Sequence, residues 1–557
     1  MDILYSLAAL GLAGAAAIPV SRRLSLSHAK HPSLAGHVRW AKRIAAQMPL
    51  IEYDDARFFA ADDAPSDVAA RRAAGFDRLA TCFAERYPKG RALTDETKTG
   101  LSDLQFTSAY RVPFQFRRKV AEALAIPAFY ERSEGNRLFD LDGNALIDLT
   151  GSYGVNLLGT DRYKQLIRDA VAVAEPLGPV LGGYHPVVAD NVARLTALSG
   201  LDEVSFHMSG TEAVMQAVRL ARYHTGRSHL VRFAGAYHGW WGDVQPGIGN
   251  PVPADRTYTL ADMADATLKV IANRKDIACV LVNPLQALHP NSGAPSDGTL
   301  INGSRRAGAD RAAYAMWLQR LASACKANGV VLILDDVFTG FRLAKAGAAE
   351  YFGIAPDMVT YGKTLGGGFP VGVLCGKAAL MKRYRDDRPA DFCFARGTFN
   401  AHPYVMAAMN GFLRHQDSGD AAALYDGLDE RWAGRAAALN AAMAAAGVPV
   451  RVAALSSIWT VLFDSPSRYN WMFQYYLRAE GLALSWVGTG RIIFSLDLDE
   501  AAFEDICQRF VAAAQAMQRD GFWWCPSAAT NKSVSGSILR EMIAARLGRL
   551  FANPRPA

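Results

Sequence analysis

The sequence predicts an α/β protein with a mostly parallel central sheet covered on both faces, a smaller α+β C-terminal domain and a helical N-terminal extension. Short apolar runs of strand length recur at Val204–His207, Leu230–Phe233, Cys279–Val282, Val330–Leu334 and Met358–Tyr361. Amphipathic helical stretches such as Thr211–His224 and Tyr314–Lys326 lie between them. Strands that are apolar throughout and alternate with helices belong to parallel sheets buried on both faces.

Before the first of these strands, residues 24–112 are rich in Ala, Arg and charged residues with helical spacing, as in His37–Leu50 and Asp67–Tyr87. They read as an extension without a catalytic constellation. The large domain spans 113–410 and includes an N-terminal segment of the small domain. From 411 to 525 an Ala-rich helical stretch to Gly447, strands near Arg451–Phe463 and Arg491–Leu496 and a helix over Glu500–Arg519 form the smaller α+β domain. Residues 526–557 are a basic amphipathic tail in which Ile538, Leu539, Met542, Ile543, Leu547, Leu550 and Phe551 are interleaved with Arg540, Arg546 and Arg549. Such a helix either lies on an anionic membrane or packs on its own domain.

At the other end, Ile3–Val20 carries no charge and is followed by Arg22 and Arg23. As a helix this segment is about 27 Å long against a hydrocarbon core of about 30 Å, so residues 1–23 form a candidate membrane anchor. Its alternative is an Ala/Gly-rich helix packed on the protein or on the bilayer surface. Positive charge after the apolar run, and none before it, argues against a cleaved leader and places the bulk of an anchored chain on the cytoplasmic side.

Lys and Arg number 60 against 53 Asp and Glu, and the surplus is spread along the chain, so no nucleic-acid partner is indicated. The 7 cysteines are odd in number and never two residues apart, as expected of reduced thiols in a cytosolic compartment. The 11 histidines form no metal-binding motif, so no metal is expected.

Four strand ends carry the chemistry. The first runs from His207 through Met208, Ser209, Gly210 and Thr211 into a helix. Small residues at a helix N-terminus make a phosphate-sized anion site, though the same residues also form an ordinary capping turn. The second, Ala234-Gly235-Ala236-Tyr237-His238-Gly239, sets an aromatic ring beside a glycine, either to stack on a planar cofactor or to fill core. The third is the apolar strand that ends in Asp335-Asp336-Val337. A buried carboxylate needs a partner: a protonated pyridine nitrogen, a neighbouring helix N-terminus, or Arg342. The fourth places Lys363 after a strand and before Gly366-Gly367-Gly368, where desolvation suits an amine to Schiff-base chemistry. All four stand at carboxyl ends of strands, where open parallel sheets bind ligands. Together they match the needs of pyridoxal 5'-phosphate, an electron sink for carbanions.

In wording and order these motifs resemble the class III, fold-type I aminotransferases, and within them the glutamate-1-semialdehyde aminomutase branch. The similar stretches are Phe139–Gly159 (FDLDGNALIDLTGSYGVNLLG), SGTEAVMQAVRLAR, GAYHGWWGD, LILDDVFTGFR, YGKTLGGGFPVGVLCG and RGTFNAHPYVMAA. The resemblance implies that Lys363 holds the cofactor and later moves the proton between substrate and cofactor, and that Asp335 keeps the pyridine nitrogen protonated. It further implies that Ser209, Gly210 and Thr211 bind the phosphate, that Tyr237 and Val337 cover the two ring faces with His238 nearby, and that Thr398 reaches the phosphate of the neighbouring subunit of a homodimer. Tyr153 and Phe338 are candidate substrate residues.

Two departures bear on substrate. Phe338 stands where many class III aminotransferases have glutamine. Asn283-Pro284-Leu285-Gln286-Ala287-Leu288 replaces a Glu-Pro motif that is followed by a polar or acidic residue, which weakens the case for a dicarboxylate acceptor. The expected activity is amino-group transfer between a small-molecule donor and an aldehyde or ketone acceptor, with a hydrophobic or carrier-bound substrate. An intramolecular 2,1-aminomutase is the alternative within the enzyme class, and a non-catalytic membrane-tethered scaffold the alternative outside it.

Overall fold

The apolar runs become neighbouring strands of one sheet. In the computed structural model, which describes residues 20–31, 36–245, 247–253, 255–289, 308–485 and 490–552, the chain divides into two compact units. The first comprises Met1–Arg43, Ile167–Ala294 and Asp310–Asp417. It contains strands β1 (Glu203–His207), β2 (His229–Phe233), β3 (Thr257–Leu260), β4 (Ile277–Val282), β5 (Val331–Asp335), β6 (Met358–Gly362) and β7 (Gly372–Gly376). Their order across the sheet is β1-β7-β6-β5-β4-β2-β3. Pairs among β2 to β6 are parallel, whereas β7 runs antiparallel to both its neighbours.

Every residue of β4, β5, β6 and β7 is buried, which is why these strands show no alternation in the sequence. Helix α1 (Gly210–Thr225) lays Val214, Ala217, Val218 and Ala221 against Leu230, Cys279, Leu281, Ile333 and Leu374. Each fully buried aliphatic side chain in such a cluster contributes about 1.5–3 kcal/mol. Helix α2 (Arg311–Ala327) starts at Asp310, whose side chain accepts the N–H of Ala313 at 2.9 Å, and buries Trp317, Leu318 and Leu321.

Two strands of this sheet escape a search for apolar runs. Thr257–Leu260 is a short edge strand with two threonines and only two buried residues. Gly372–Gly376 is bounded by glycines and reverses direction. That reversal matters for the site: Gly372 opens β7 between His207, the last residue of β1, and Gly362, the last of β6. The loops that follow β1 and β6 therefore leave the sheet at the same edge.

The second unit comprises Ile44–Leu166, Pro295–Ala309 and Ser418–Ala557. It holds the hairpin Val450–Leu455/Ile458–Phe463 extended by Ile492–Ile493, and a sheet of Tyr130–Glu134, Arg137–Asp140, Ala145–Asp148 and Leu482–Ala483. The helices Asp55–Phe59, Ser66–Arg86 and Arg117–Ala123 are integral to this unit. The rings of Phe58 and Phe116 pack on Trp471 at 6.5 and 5.0 Å. Arg72, fully buried on Ser66–Arg86, forms a bidentate pair with Asp62 at 2.7 and 2.8 Å and donates to the carbonyls of Phe59 and Gly521. A buried guanidinium tolerates that position only because it is charge-paired and hydrogen-bonded in this way.

The tail forms α3 (Asn531–Ala552). One face is clamped by Glu541, which accepts from Arg57 at 2.8 Å, from Arg468 at 2.7 and 2.9 Å, and from the Tyr53 hydroxyl at 2.5 Å. Burial alone would raise the Glu541 carboxyl, but Arg468, Tyr53 and Arg57 outweigh it and hold it down to about 2. The tail is thus packed on its own unit. The apolar segment Ile3–Val20 lies outside the described residues except for Val20. Among the described residues no helix is long and apolar enough to cross a membrane.

Candidate active site

At the end of β1, Ser209 adopts extended backbone angles and caps α1, its hydroxyl accepting the N–H of Glu212 at 3.2 Å. Glu212 reaches back to accept the N–H of Met208 at 2.9 Å, a capping box whose returning bond goes to the residue before the cap. The capping reading of Ser209 therefore holds. It also fixes the direction in which the first N–H groups of a 16-residue helix point, and these, with the helix dipole, favour a bound anion. Room for it depends on glycine: a Cβ on Gly210 would lie 2.6 Å from Cγ1 of Val337, and one on Gly239, at φ +90°, would lie 2.5 Å from Oγ1 of Thr211.

Those two approaches join three loops. Val337, after β5, touches Gly210, after β1; Gly239, after β2, touches Thr211. Asp335, 4% exposed, closes the set by accepting from three groups. Its Oδ2 lies 2.7 Å from Nδ1 of His238, while its Oδ1 takes the Val337 N–H and the Thr360 hydroxyl, each at 3.3 Å. His238 itself is 1% exposed. The residues that hold Asp335 come from β2's loop and from β6, 97 and 25 positions away in sequence.

The adjacent Asp336 has a different task. It is buried, accepts the Thr339 hydroxyl at 2.5 Å and the Ala348 N–H at 2.7 Å, and so caps the helix Ala348–Phe352. Burial pushes its carboxyl up to about 7 from an ordinary 3.8. Because the folded state keeps this proton longer as pH rises, the group costs stability progressively between about pH 4 and 7, and its full cost stands above that range. Asp336→Asn, which keeps an acceptor without the charge, is expected to raise the melting temperature at pH 8 and leave it nearly unchanged at pH 4. Melting curves across that range check it, and an equal shift at both pH values would contradict it.

Lys363 follows β6 with φ +46°, left-handed backbone that costs a non-glycine residue about 1–2 kcal/mol. Such strain concentrates where a side chain must be aimed. Its Nζ stands 5.6 Å from the ring centroid of Phe338. Tyr237 is 59% exposed, with its carbonyl held by the Asn283 amide at 2.9 Å. Burial of its hydroxyl, and next the charge of Asp335, raise its phenol above the ordinary value.

The turn Pro284–Leu288 is buried throughout. Leu285 and Leu288 are buried in the core, and Gln286 is spent on the Ala234 carbonyl at 2.9 Å. The turn supports the loop after β2, because Asn283 and Gln286 both bind that loop's backbone. Nothing in the sequence string told these supporting amides from substrate-binding ones. Thr360 and Asn283 were likewise not legible as site residues, since each acts across strands that are distant in sequence.

Thr398 is exposed. Tyr153 belongs to the second unit, in a turn where Ser152 and Tyr153 both have positive φ, 46° and 54°. There Thr150 is held by Asp148, whose carboxyl burial pushes up.

A seven-stranded sheet with one antiparallel strand, an amine after one strand, a histidine-backed carboxylate after its neighbour and an open helix N-terminus beside both fit pyridoxal 5'-phosphate. The glycine cradle would be filled by any side chain, and the donor set matches an aldehyde, a ring nitrogen and a phosphate. The fold and site define a pyridoxal-phosphate enzyme of fold type I. The chain belongs to the class-III aminotransferase family, whose model matches residues 119–514.

Among its relatives is the glutamate-1-semialdehyde 2,1-aminomutase of Nitratidesulfovibrio vulgaris (Hildenborough), 35% identical over 344 residues, which are 61% of this chain and 78% of that one. A solved glutamate-1-semialdehyde aminomutase from Pseudomonas aeruginosa PAO1 superposes with a TM-score of 0.64 at 19% identity, over 80% of this chain and 99% of its own. The β-phenylalanine aminotransferase of Variovorax paradoxus does so with a TM-score of 0.62 at 25% identity, over 81% and 97%.

Proposed function

We propose that this enzyme moves an amino group between a small-molecule amine and an aldehyde or ketone, with Lys363 as the residue that holds the cofactor and transfers the proton. The observation that carries the reading is the convergence, at one sheet edge, of Lys363, the Asp335–His238 pair and the N-terminus of α1. Bound there, pyridoxal 5'-phosphate supplies an electron sink for the substrate carbon. Asp335, positioned by His238, the Val337 N–H and the Thr360 hydroxyl, would hold a proton on the ring nitrogen. Ser209, Gly210 and Thr211 would bind the phosphate, and Tyr237 and Val337 would cover the ring, with His238 orienting Asp335. The Lys363 amine, beside an aromatic ring, would move the proton between the substrate carbon and the cofactor.

Phe338 supports an apolar substrate, hydrophobic or carrier-bound, since it sets a hydrocarbon face beside that amine. Tyr153, on its strained turn, is the second proposed substrate residue. A homodimer is proposed as well. Thr398 is close in sequence to Phe392, Phe394 and Phe399, which are 59, 67 and 51% exposed, and large rings left this open support an interface there. Within the assembly, residues 113–410 would form the cofactor domain with an N-terminal segment of the small domain, 411–525 the rest of the small domain and 24–112 a helical N-terminal extension. Residues 3–20 would anchor the protein to the cytoplasmic face of a membrane.

An intramolecular aminomutase is a second reading, supported by relatives that bear that name. A screen of amines against the purified protein separates these readings. Loss of the bound cofactor's visible absorbance with an external donor supports transfer. Product from a single substrate without a donor supports the mutase. No response across a broad panel supports the non-catalytic scaffold and contradicts both.

A further inference from the structure

Glu541 fixes which side of α3 faces the protein, and so which side does not. With Glu541 turned inward on Arg57, Arg468 and Tyr53, the opposite face carries Leu539, Ile543 and Leu547, exposed by 57, 51 and 47%. They recur every four residues, a stripe of about two turns along the helix. Exposed Lys532, Arg540 and Arg546 flank the stripe. Glu541 is the helix's single acid, and it is consumed by the clamp, so no acid is left to balance these cations. Arg546 also donates to Gln47 at 2.7 Å, which brings the segment carrying exposed Ile44, Met48 and Leu50 alongside within the same unit.

We propose that this face of α3 lies flat on a bilayer of anionic lipids. A leucine/isoleucine stripe edged by cations and free of acids matches the acyl–headgroup boundary of such a membrane, where apolar side chains enter and arginines meet phosphate. A second copy of the chain fits less well, because a two-fold contact would set the same cations against each other. The inference rests on the membrane association proposed above, but it uses no residue of 3–20.

The test is co-sedimentation of the full-length protein with vesicles of phosphatidylcholine alone, or with about 30% phosphatidylserine. Binding to neutral vesicles reads the 3–20 anchor, whereas the excess on anionic vesicles reads α3. That excess is expected to be about tenfold, to fall with added salt, and to be lost in both Leu539→Ser/Ile543→Ser/Leu547→Ser and Arg540→Gln/Arg546→Gln. The visible absorbance of bound cofactor should be the same in all three proteins, and the arginine variant keeps the test informative if the triple serine variant fails to fold. An anionic excess that survives in the arginine variant would overturn the proposal. So would a serine variant that changes from dimer to monomer while its lipid binding is unchanged.

Discussion

Lys363→Ala is expected to abolish turnover, with kcat/KM lower by about 10³-fold or more, and to remove the visible absorbance that the wild-type protein shows with its cofactor. One side chain is asked both to hold the cofactor and to carry the proton, so its loss removes two contributions at once. Lys363→Arg is the sharper variant. It keeps a cation 5.6 Å or so from Phe338, but a guanidinium stays protonated and cannot act as nucleophile or base. It is therefore expected to be as inactive as the alanine variant. Steady-state assays and absorbance spectra check both, and activity in the arginine variant would show that Lys363 only supplies charge.

Asp335→Asn should have the second-largest effect. The amide is nearly the same shape and still offers an oxygen to Val337 and Thr360, but it lacks the charge that a protonated ring nitrogen requires. A fall in kcat of about 10²–10³-fold is expected, with little change in KM and with the cofactor still bound through Lys363. The last feature separates it from Lys363→Ala. His238→Ala, which removes a positioning contact at 2.7 Å and leaves the carboxylate itself, should cost about tenfold. If the two variants lose activity equally, the charge of Asp335 is not what the site uses.

These expectations draw on features with different visibility in the sequence. Strands β4 and β5 are legible because burial on both faces leaves runs dominated by Val, Ile and Leu, and β6 because its Met-Val-Thr-Tyr run leads into the glycine-rich lysine loop. Strands β3 and β7 are not, since an edge position admits threonine and the antiparallel reversal is bounded by glycines. The site follows the same division. Lys363, Asp335 and Ser209–Thr211 stand directly after recognisable strands, and strand order alone decides that they meet. The His238–Asp335 pair spans the width of β4, and the string Asp335-Asp336 does not say which carboxylate caps Ala348 and which faces His238. Only the register of β5 against β6, with Asp335 opposite Thr360, assigns them. The extension was legible as helices, but its aromatic packing on Trp471 and the bond from the Tyr469 hydroxyl to the Phe58 carbonyl depend on residues some 400 positions downstream.

Lys363 is the one amine expected to bond to the cofactor. Borohydride reduction of the purified enzyme locks the cofactor onto whichever amine carries it, and peptide mass spectrometry then identifies that amine. The account predicts the added mass on the peptide containing Lys363, and on no peptide of Lys363→Ala. Added mass on another lysine of the wild-type enzyme, or its persistence in the alanine variant, would contradict it.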